Sequence, residues 1–427
     1  MEETVMSKRA LTIILIVLTA SGGLGTLLLT VRSRAVQAQA GPASFAAVPG
    51  EKGGQDVAGP YEVVADWPKP LSQLPDHEKW TWGAVQSIFA ESPNRVFLFI
   101  RGEIPKLDRP REVPYPSVGP SISFPVSQTP FRNASVGPVT SPGQPGNWLG
   151  TLGVDARWEH CLLVVDAGGN ITEQWTQWDS RFRRPHAIAI NPYDPQKHVW
   201  AVDDMGHAVY KFTNDGKHLV QTLGTPYQPG ADDQHFNRPT FLAWLPDGTL
   251  YVSDGYANTR VVKFDKDGKY LMAWGEKATP PNDTRPGYFA AVHGVVTDPQ
   301  TRRVYVTDRS NRRIQVFDEN GRFLDQFTTG RPSTPQFLYR AADGFLWIAD
   351  NSTSKILKYD QQGHFLYSWG SQGDWPGAMW NPHGLSVDQE GNLYMAEVNN
   401  GRAQKFRPRA GANPDFMVGQ PVRAAWR

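Results

Sequence analysis

Cysteine is almost missing: Cys161 is the only one among 427 residues. An intrachain disulfide and a cysteine-built zinc cluster are therefore excluded, and packing must hold the fold together. Cys161 itself reads as a core position at the start of a strand, since free cysteines are usually buried. A surplus of either charge is missing too. Forty-three basic residues face 42 acidic ones, for a net charge of +1. No basic face or acidic tail is set apart, so no nucleic acid partner is implied. What is abundant is Trp (15), Tyr (14), Phe (20), Gly (40) and Pro (35). That mixture suits many short strands joined by tight turns and suits a helical protein poorly.

The chain opens on a targeting segment. Lys8 and Arg9 precede an apolar run from Ala10 to Val31, close to the roughly 20 residues that span a bilayer. Ala38-Gln39-Ala40 follows as a small-residue cleavage site. The run is long for a secretory signal, and Arg32 and Arg34 separate it from that site. Residues 1–40 thus fit a cleaved signal peptide and a retained membrane anchor alike. Both place the body outside the cytoplasm, whether secreted, periplasmic or membrane-anchored, and the Lys-Arg pair favours that orientation. Residues 41–60, rich in Gly, Ala and Pro, read as a flexible tether.

Self-similarity organises the rest. Residues 198–224, 249–275, 303–329 and 345–370 align as strand, polar turn, strand ending in an aromatic, two-residue turn, strand. Asp215-Gly216, Asp267-Gly268 and Asn320-Gly321 are strong hairpin signals, Gln362-Gly363 a weaker one. A short strand precedes each segment, at 184–190, 238–244, 291–297 and 334–340, making four strands, a to d. Further units begin near 82–89 and 381–387. A period of 40 to 50 residues means propeller blades, so the expected fold is all-β, a six-bladed β-propeller over residues 61–409. The strand at 61–67 supplies strand d of the last blade and closes the ring. Residues 103–160, rich in Pro and Gly, interrupt the first blade and serve either as a lid or as a structureless insertion; residues 410–427 form a C-terminal tail.

Strands alternate in direction within a blade, so the start of strand a and the end of strand b share one mouth of the channel. The slot at the start of strand a reads Ala84, His186, Thr240, His293, Gln336 and His383 around the ring. Histidine in alternate blades makes three imidazoles converge, the geometry of a three-histidine zinc site with an open position. The other seven histidines (His77, His160, His198, His207, His218, His235 and His364) are read as forming no such set. Just after strand b stand Arg101, Asp204, Tyr256, Arg309, Asn351 and Val398. Two arginines beside a metal grip a carboxylate, and a tyrosine among cations suits a general base. Asp203, Asp254, Asp308 and Asp350 recur across blades and read as turn braces.

On SDGYANTRVVKFDKDGKYLMAWG (253–275), VTDRSNRRIQVF (306–317), RPHAIAI and NPHGLSV, the chain resembles the peptidyl-α-hydroxyglycine α-amidating lyase family of NHL-repeat propellers, over about residues 78 to 408. The resemblance implies that His186, His293 and His383 bind zinc, that Tyr256 is the base, and that Arg101 and Arg309 are active-site arginines. It implies cleavage of a peptidyl-α-hydroxyglycine to a peptide amide and glyoxylate, hence a small-molecule or peptide substrate with a carboxylate. The chain also departs from the family. Ala257 stands where animal members carry a cysteine. The family's structural calcium uses an aspartate just after the third histidine; here that place is Gly384, leaving calcium only the main-chain oxygens of Val85 and Ile188. Two other readings stand beside the lyase: a metal-dependent lyase or hydrolase for another small carboxylate, and a non-catalytic extracytoplasmic propeller that binds a ligand or partner protein.

Overall fold

Six four-stranded antiparallel sheets are arranged around a central axis in the computed structural model, which describes residues 46–51, 55–106, 113–114, 123–124 and 156–426. The expected signal or anchor segment, and most of the 103–160 insertion, lie outside these residues. Blade 1 comprises Val85–Ser92, Arg95–Ile100, Leu162–Val165 and Ile171–Gln174. Blade 2 comprises Pro185–Ile190, Val199–Asp203, Ala208–Phe212 and Leu219–Leu223. Blade 3 runs through Pro239–Trp244, Leu250–Asp254, Arg260–Phe264 and Tyr270–Trp274. Blade 4 runs through Val292–Thr297, Val304–Asp308, Arg313–Phe317 and Phe323–Thr328. Blade 5 is Pro335–Arg340, Leu346–Asp350, Lys355–Tyr359 and Phe365–Trp369. Strand a of each blade contacts strand a of the next, so the six line the axis.

Blade 6 takes Pro382–Val387, Leu393–Glu397 and Arg402–Pro408 from the end of the chain and Tyr61–Val63 from its beginning. Tyr61 pairs with Pro408 and Val63 with Phe406. The closing strand is shorter than the expected 61–67, because Val64 is the last of this stretch to bond strand c, through its N–H to the Lys405 carbonyl.

Strands a and b are buried on both faces because neighbouring blades cover them, and their side chains are apolar almost without alternation. Inter-blade packing also explains the hairpin glycine. Gly321 has φ 79°, and a Cβ there would sit 2.7 Å from the ring of Trp274, the aromatic that ends strand d of the preceding blade. The turn thus needs glycine both for its backbone and for the space.

Two expectations are corrected. The tether does not reach Pro60: Ala47 and Val48 are buried, Gln55–Ala58 forms a helical turn, and the Gly370 N–H donates to the Asp56 carbonyl at 2.7 Å. The insertion does not begin at residue 103 as a bare loop. Glu103–Pro105 pairs with Trp80–Trp82, and Glu103 bridges Arg157, so both ends of the insertion are tied into the body.

Candidate functional site

Each strand a carries a register irregularity at its first step: between Pro185 and Ala187, Pro239 and Leu242, Val292 and Val295, Pro335 and Phe337, Pro382 and Gly384, and Val85 and Ser87. Such a bulge rotates the unpaired residue out of the ladder and re-aims its side chain. His186, His293 and His383 occupy the bulge in blades 2, 4 and 6, and their rings form a nearly equilateral set with centroids 5.1, 4.8 and 5.1 Å apart. One ring nitrogen of each lies within 4.8 Å of the others.

The odd blades orient these rings. Nδ1 of His186 donates to the Thr240 carbonyl at 2.9 Å, that of His293 to the Gln336 carbonyl at 2.6 Å, and that of His383 to the Gln86 carbonyl at 2.7 Å. Each acceptor sits in the bulge of the next blade. Fixing the proton on Nδ1 leaves a lone pair on every Nε2, as outer-shell partners of metal-bound histidines do. Burial, chiefly, holds all three rings in the neutral form: His186 and His293 are pushed well below the usual range and His383 to about 3, with the nearby arginines adding to the effect.

Tyr256 completes the centre. Its hydroxyl lies 3.1 Å from Nε2 of His186 and 2.9 Å from Nε2 of His293. One hydroxyl proton cannot satisfy two lone pairs. Three buried imidazole nitrogens and a phenolic oxygen with a single proton among them are a donor set that suits a borderline cation such as zinc. Tyr256 can approach because Gly255 precedes it; a Cβ there would lie 1.7 Å from the Val292 carbonyl oxygen, beside His293. Phe241, which sequence reasoning missed, floors the centre with its ring 5.0, 5.2 and 5.7 Å from the three imidazoles. On the far side of Phe241 the channel becomes an apolar cavity of about 180 Å³, bordered by Trp426 of the C-terminal tail.

Arg101 and Arg309 are where their positions after strand b place them. Arg309 reaches the Tyr256 hydroxyl at 3.5 Å and its guanidinium carbon lies 5.2 Å from the ring centroid. Arg101 is buried, donates from Nε to the Pro185 carbonyl at 3.2 Å and faces Asp204 at 3.7 Å. Burial, reinforced by Arg184, pushes its guanidinium well below the usual arginine range. Two further arginines escaped sequence reading. Arg184 lies 3.4 Å and Arg238 3.8 Å from the same Asp204 oxygen, and Arg238 also stands 4.7 Å over the Tyr256 ring. Asn351 and Val398 complete the slot without a charge.

The recurrent aspartates act as braces. Asp203 accepts from the N–H groups of Arg183, Arg184 and Gly206; Asp254 from Asn237, Asn258 and Arg260; Asp308 from Ala290, Asn311 and Arg313; Asp350 from Thr334 and Thr353. Each clamps the loop that delivers its own strand a, and so fixes where the bulge begins. Glu397 does the same in blade 6 through Trp380, Asn400 and Arg402.

Two sequence assignments change. The blade 1 member of the strand-a slot is Gln86, not Ala84, as the position of the bulge shows. The other seven histidines are not all scattered: His77, His160 and Glu159 bring ligand atoms within 4.8 Å of one another. The buried carboxylate of Glu103 bonds Nδ1 of both rings, because Glu103–Pro105 pairs with Trp80–Trp82 on the His77 side and Glu103 bridges Arg157 on the His160 side. At the calcium place Gly384 brings no side-chain ligand and stands beside Ser87 and Gln86 of blade 1.

Comparison with known proteins agrees with the fold. The NHL repeat family matches at residues 289–317. Peptidyl-alpha-hydroxyglycine alpha-amidating lyase 1 of Drosophila melanogaster is 31% identical over 274 residues, 59% of this chain and 49% of the fly protein. Peptidylglycine alpha-amidating monooxygenase of Rattus norvegicus is 27% identical over 259 residues, 58% of this chain and 22% of the rat protein. NHL repeat-containing protein 3 of Mus musculus is 31% identical over 260 residues, 56% of this chain and 71% of the mouse protein. The chain thus spans half or less of the length of the fly and rat relatives.

Proposed function

The chain belongs to the NHL-repeat propellers, and from that premise we propose that it is, like the peptidyl-α-hydroxyglycine α-amidating lyases to which it is similar, a zinc-dependent lyase that splits the C–N bond of a peptidyl-α-hydroxyglycine-like hemiaminal into an amide and glyoxylate. The observation that carries this reading is the Tyr256 hydroxyl lying 2.9 and 3.1 Å from two imidazole lone pairs at the floor of an arginine-lined mouth. His186, His293 and His383 would hold the zinc. When bound, the metal supplies Lewis acidity that lowers the pKa of a coordinated hydroxyl.

The chain's own groups do the rest. Arg101 and Arg309 grip the substrate carboxylate and so point its α-carbon at Tyr256. The Tyr256 oxygen accepts the proton of the α-hydroxyl as its own hydroxyl proton passes to the departing amide nitrogen. The oxygen electrons form the C=O of glyoxylate and the C–N bond breaks. Phe241 closes the floor, so the proton exchanged between the two atoms is shielded from bulk water on that side. Delivery of such a substrate outside the cytoplasm is part of the same proposal.

The test is to count metal in the purified chain by mass spectrometry beside His293→Ala, and to assay glyoxylate release from an N-acyl-α-hydroxyglycine. The expected result is zinc in the wild type, one ion fewer per chain in the variant, and glyoxylate from the wild type alone. A zinc-loaded wild type that releases no glyoxylate would overturn the proposal.

A further inference from the structure

The end of the channel opposite the histidines is a chamber of its own. Phe241 divides the two: its ring packs against the imidazoles and also lines the apolar cavity of about 180 Å³ beyond. The C-terminal tail roofs that cavity with Pro421, Val422 and Trp426, and it is tied down along its length. The Gly419 carbonyl accepts from the Tyr339 hydroxyl at 2.8 Å and the Gln420 carbonyl from the Ala342 N–H at 2.7 Å, both in blade 5. Arg423 donates to the Val387 carbonyl of blade 6 at 2.6 Å. The Trp426 indole donates to the Asn191 carbonyl, just past strand a of blade 2, at 3.2 Å, and its ring lies 5.9 Å from Phe89 of blade 1. The tail thus crosses the far mouth from blade 5 to blades 1 and 2.

The wall of the cavity selects its guest. Phe89, Phe241, Trp244, Phe337 and Trp426 all line it. The hydroxyls there are engaged: Ser87 accepts from the Ile188 N–H, Ser386 accepts from the Ala90 N–H, Thr297 donates to the Trp244 carbonyl and Tyr339 to that of Gly419. An ordered water needs about two to four polar partners, whereas an apolar cavity of about 150 Å³ takes up benzene. One polar group on the wall is left over. Arg340 donates through Nη2 to Asp298 at 2.8 Å and to Gln300 at 3.3 Å, but its buried Nε has no acceptor. Asp298 already answers the charge of the arginine, so what Nε lacks is a single neutral acceptor. A buried donor left without one is costly, and a ligand that supplies it is favoured.

We infer that this chamber is a second ligand site, and that it takes a small aromatic molecule carrying one neutral hydrogen-bond acceptor, such as an aryl ketone. The rings on its wall offer faces and edges to a flat guest, and the Arg340 Nε–H meets the carbonyl of that guest. The site is independent of the lyase reading, because its wall uses none of His186, His293, His383 or Tyr256. Phe241 is a wall of both.

The experiment follows the fluorine NMR line widths of two probes, para-fluoroacetophenone and para-fluorocumene, titrated with the full chain. The two have nearly the same shape, and only the ketone carries an acceptor. Both should bind, the ketone about tenfold or more tighter, as a hydrogen bond to a charged donor predicts. Val422→Trp fills the chamber from the tail and Ala243→Leu from blade 3, and each should weaken both probes. His293→Ala alters the metal centre alone and should bind them as the wild type does. Probes held undiminished by both filling variants, or lost in His293→Ala, would lie elsewhere and overturn the site. No broadening by the wild type, or equal affinity for the two probes, would overturn it as well.

Discussion

The hydroxyl of Tyr256 lies 2.9 Å from Nε2 of His293, while the other nitrogen of that ring is pinned by the Gln336 carbonyl at 2.6 Å. The tautomer is therefore set by one blade and the lone pair is presented to a side chain from another. Base and metal ligand are held in one frame by strand starts that cannot move independently.

From this contact follows the expected behaviour of Tyr256→Phe. The ring stays and the imidazoles are untouched, so bound metal, counted by mass spectrometry, should equal that of the wild type. The proton acceptor is gone, and kcat for glyoxylate release should fall by about 100-fold or more, the usual contribution of a positioned base. Loss of metal along with turnover would make Tyr256 a ligand rather than a base.

Gly255 offers a different probe of the same contact. A Cβ there would lie 1.7 Å from the Val292 carbonyl oxygen, so Gly255→Ala must part blade 3 from blade 4 between Tyr256 and His293. Overpacking of this sort costs about 1–3 kcal/mol, and a misplacement of about 1 Å near the chemistry costs about 100-fold in rate. Thermal unfolding and kcat/KM should both report it. A variant with wild-type turnover would show that the close approach of the two strands does not set the site.

Much of this was legible in the sequence, and the reasons are specific. The bladed repeat shows because strand and turn signals recur, and His186, His293 and His383 stand out because they recur in register with it. Gln86 was misplaced at Ala84 because a two-residue slip along a strand preserves which face each side chain takes; only the bulge between Val85 and Ser87 distinguishes them. Arg184 and Arg238 lie in loops, where no periodicity marks which side chains face the axis. His77 and His160 are far apart in the chain and meet through the pairing of Trp80–Trp82 with Glu103–Pro105 and the bridge from Glu103 to Arg157. The positions found were those a repeat labels; those missed depend on one contact made once.

Ring closure rests on Tyr61. It is buried, packs on Trp369 and Phe406 with centroids 5.7 and 6.5 Å away, and its hydroxyl accepts from the Val418 N–H at 2.8 Å. It therefore joins the start of the chain, blades 5 and 6, and the C-terminal tail. Tyr61→Ala should destabilise by about 3–5 kcal/mol, as other large aromatic truncations in cores do, read as a lower urea midpoint. A change within about 0.5 kcal/mol, the range of surface substitutions, would show that the propeller holds without this clasp.

The Glu103 cluster makes stability depend on pH in a stated direction. Burial alone would lower the pKa of His160, but its hydrogen bonds to Glu103 and Gln174 and the charge of Glu103 outweigh it, and the net shift is upward from 6.5. His77, Glu159 and Asp179 are the other titratable groups that face this pair. With its folded pKa raised, His160 binds its proton more tightly in the native state than in the unfolded one. Its contribution is then complete below the unfolded value and is lost as pH rises through the folded one. His160→Gln removes that titration. The difference in melting temperature between wild type and variant should be largest near about pH 6 and shrink toward about pH 9. A difference that stays constant over that range would mean that Glu103 holds a neutral imidazole, and that the two ends of the insertion are joined by hydrogen bonds without an ion pair.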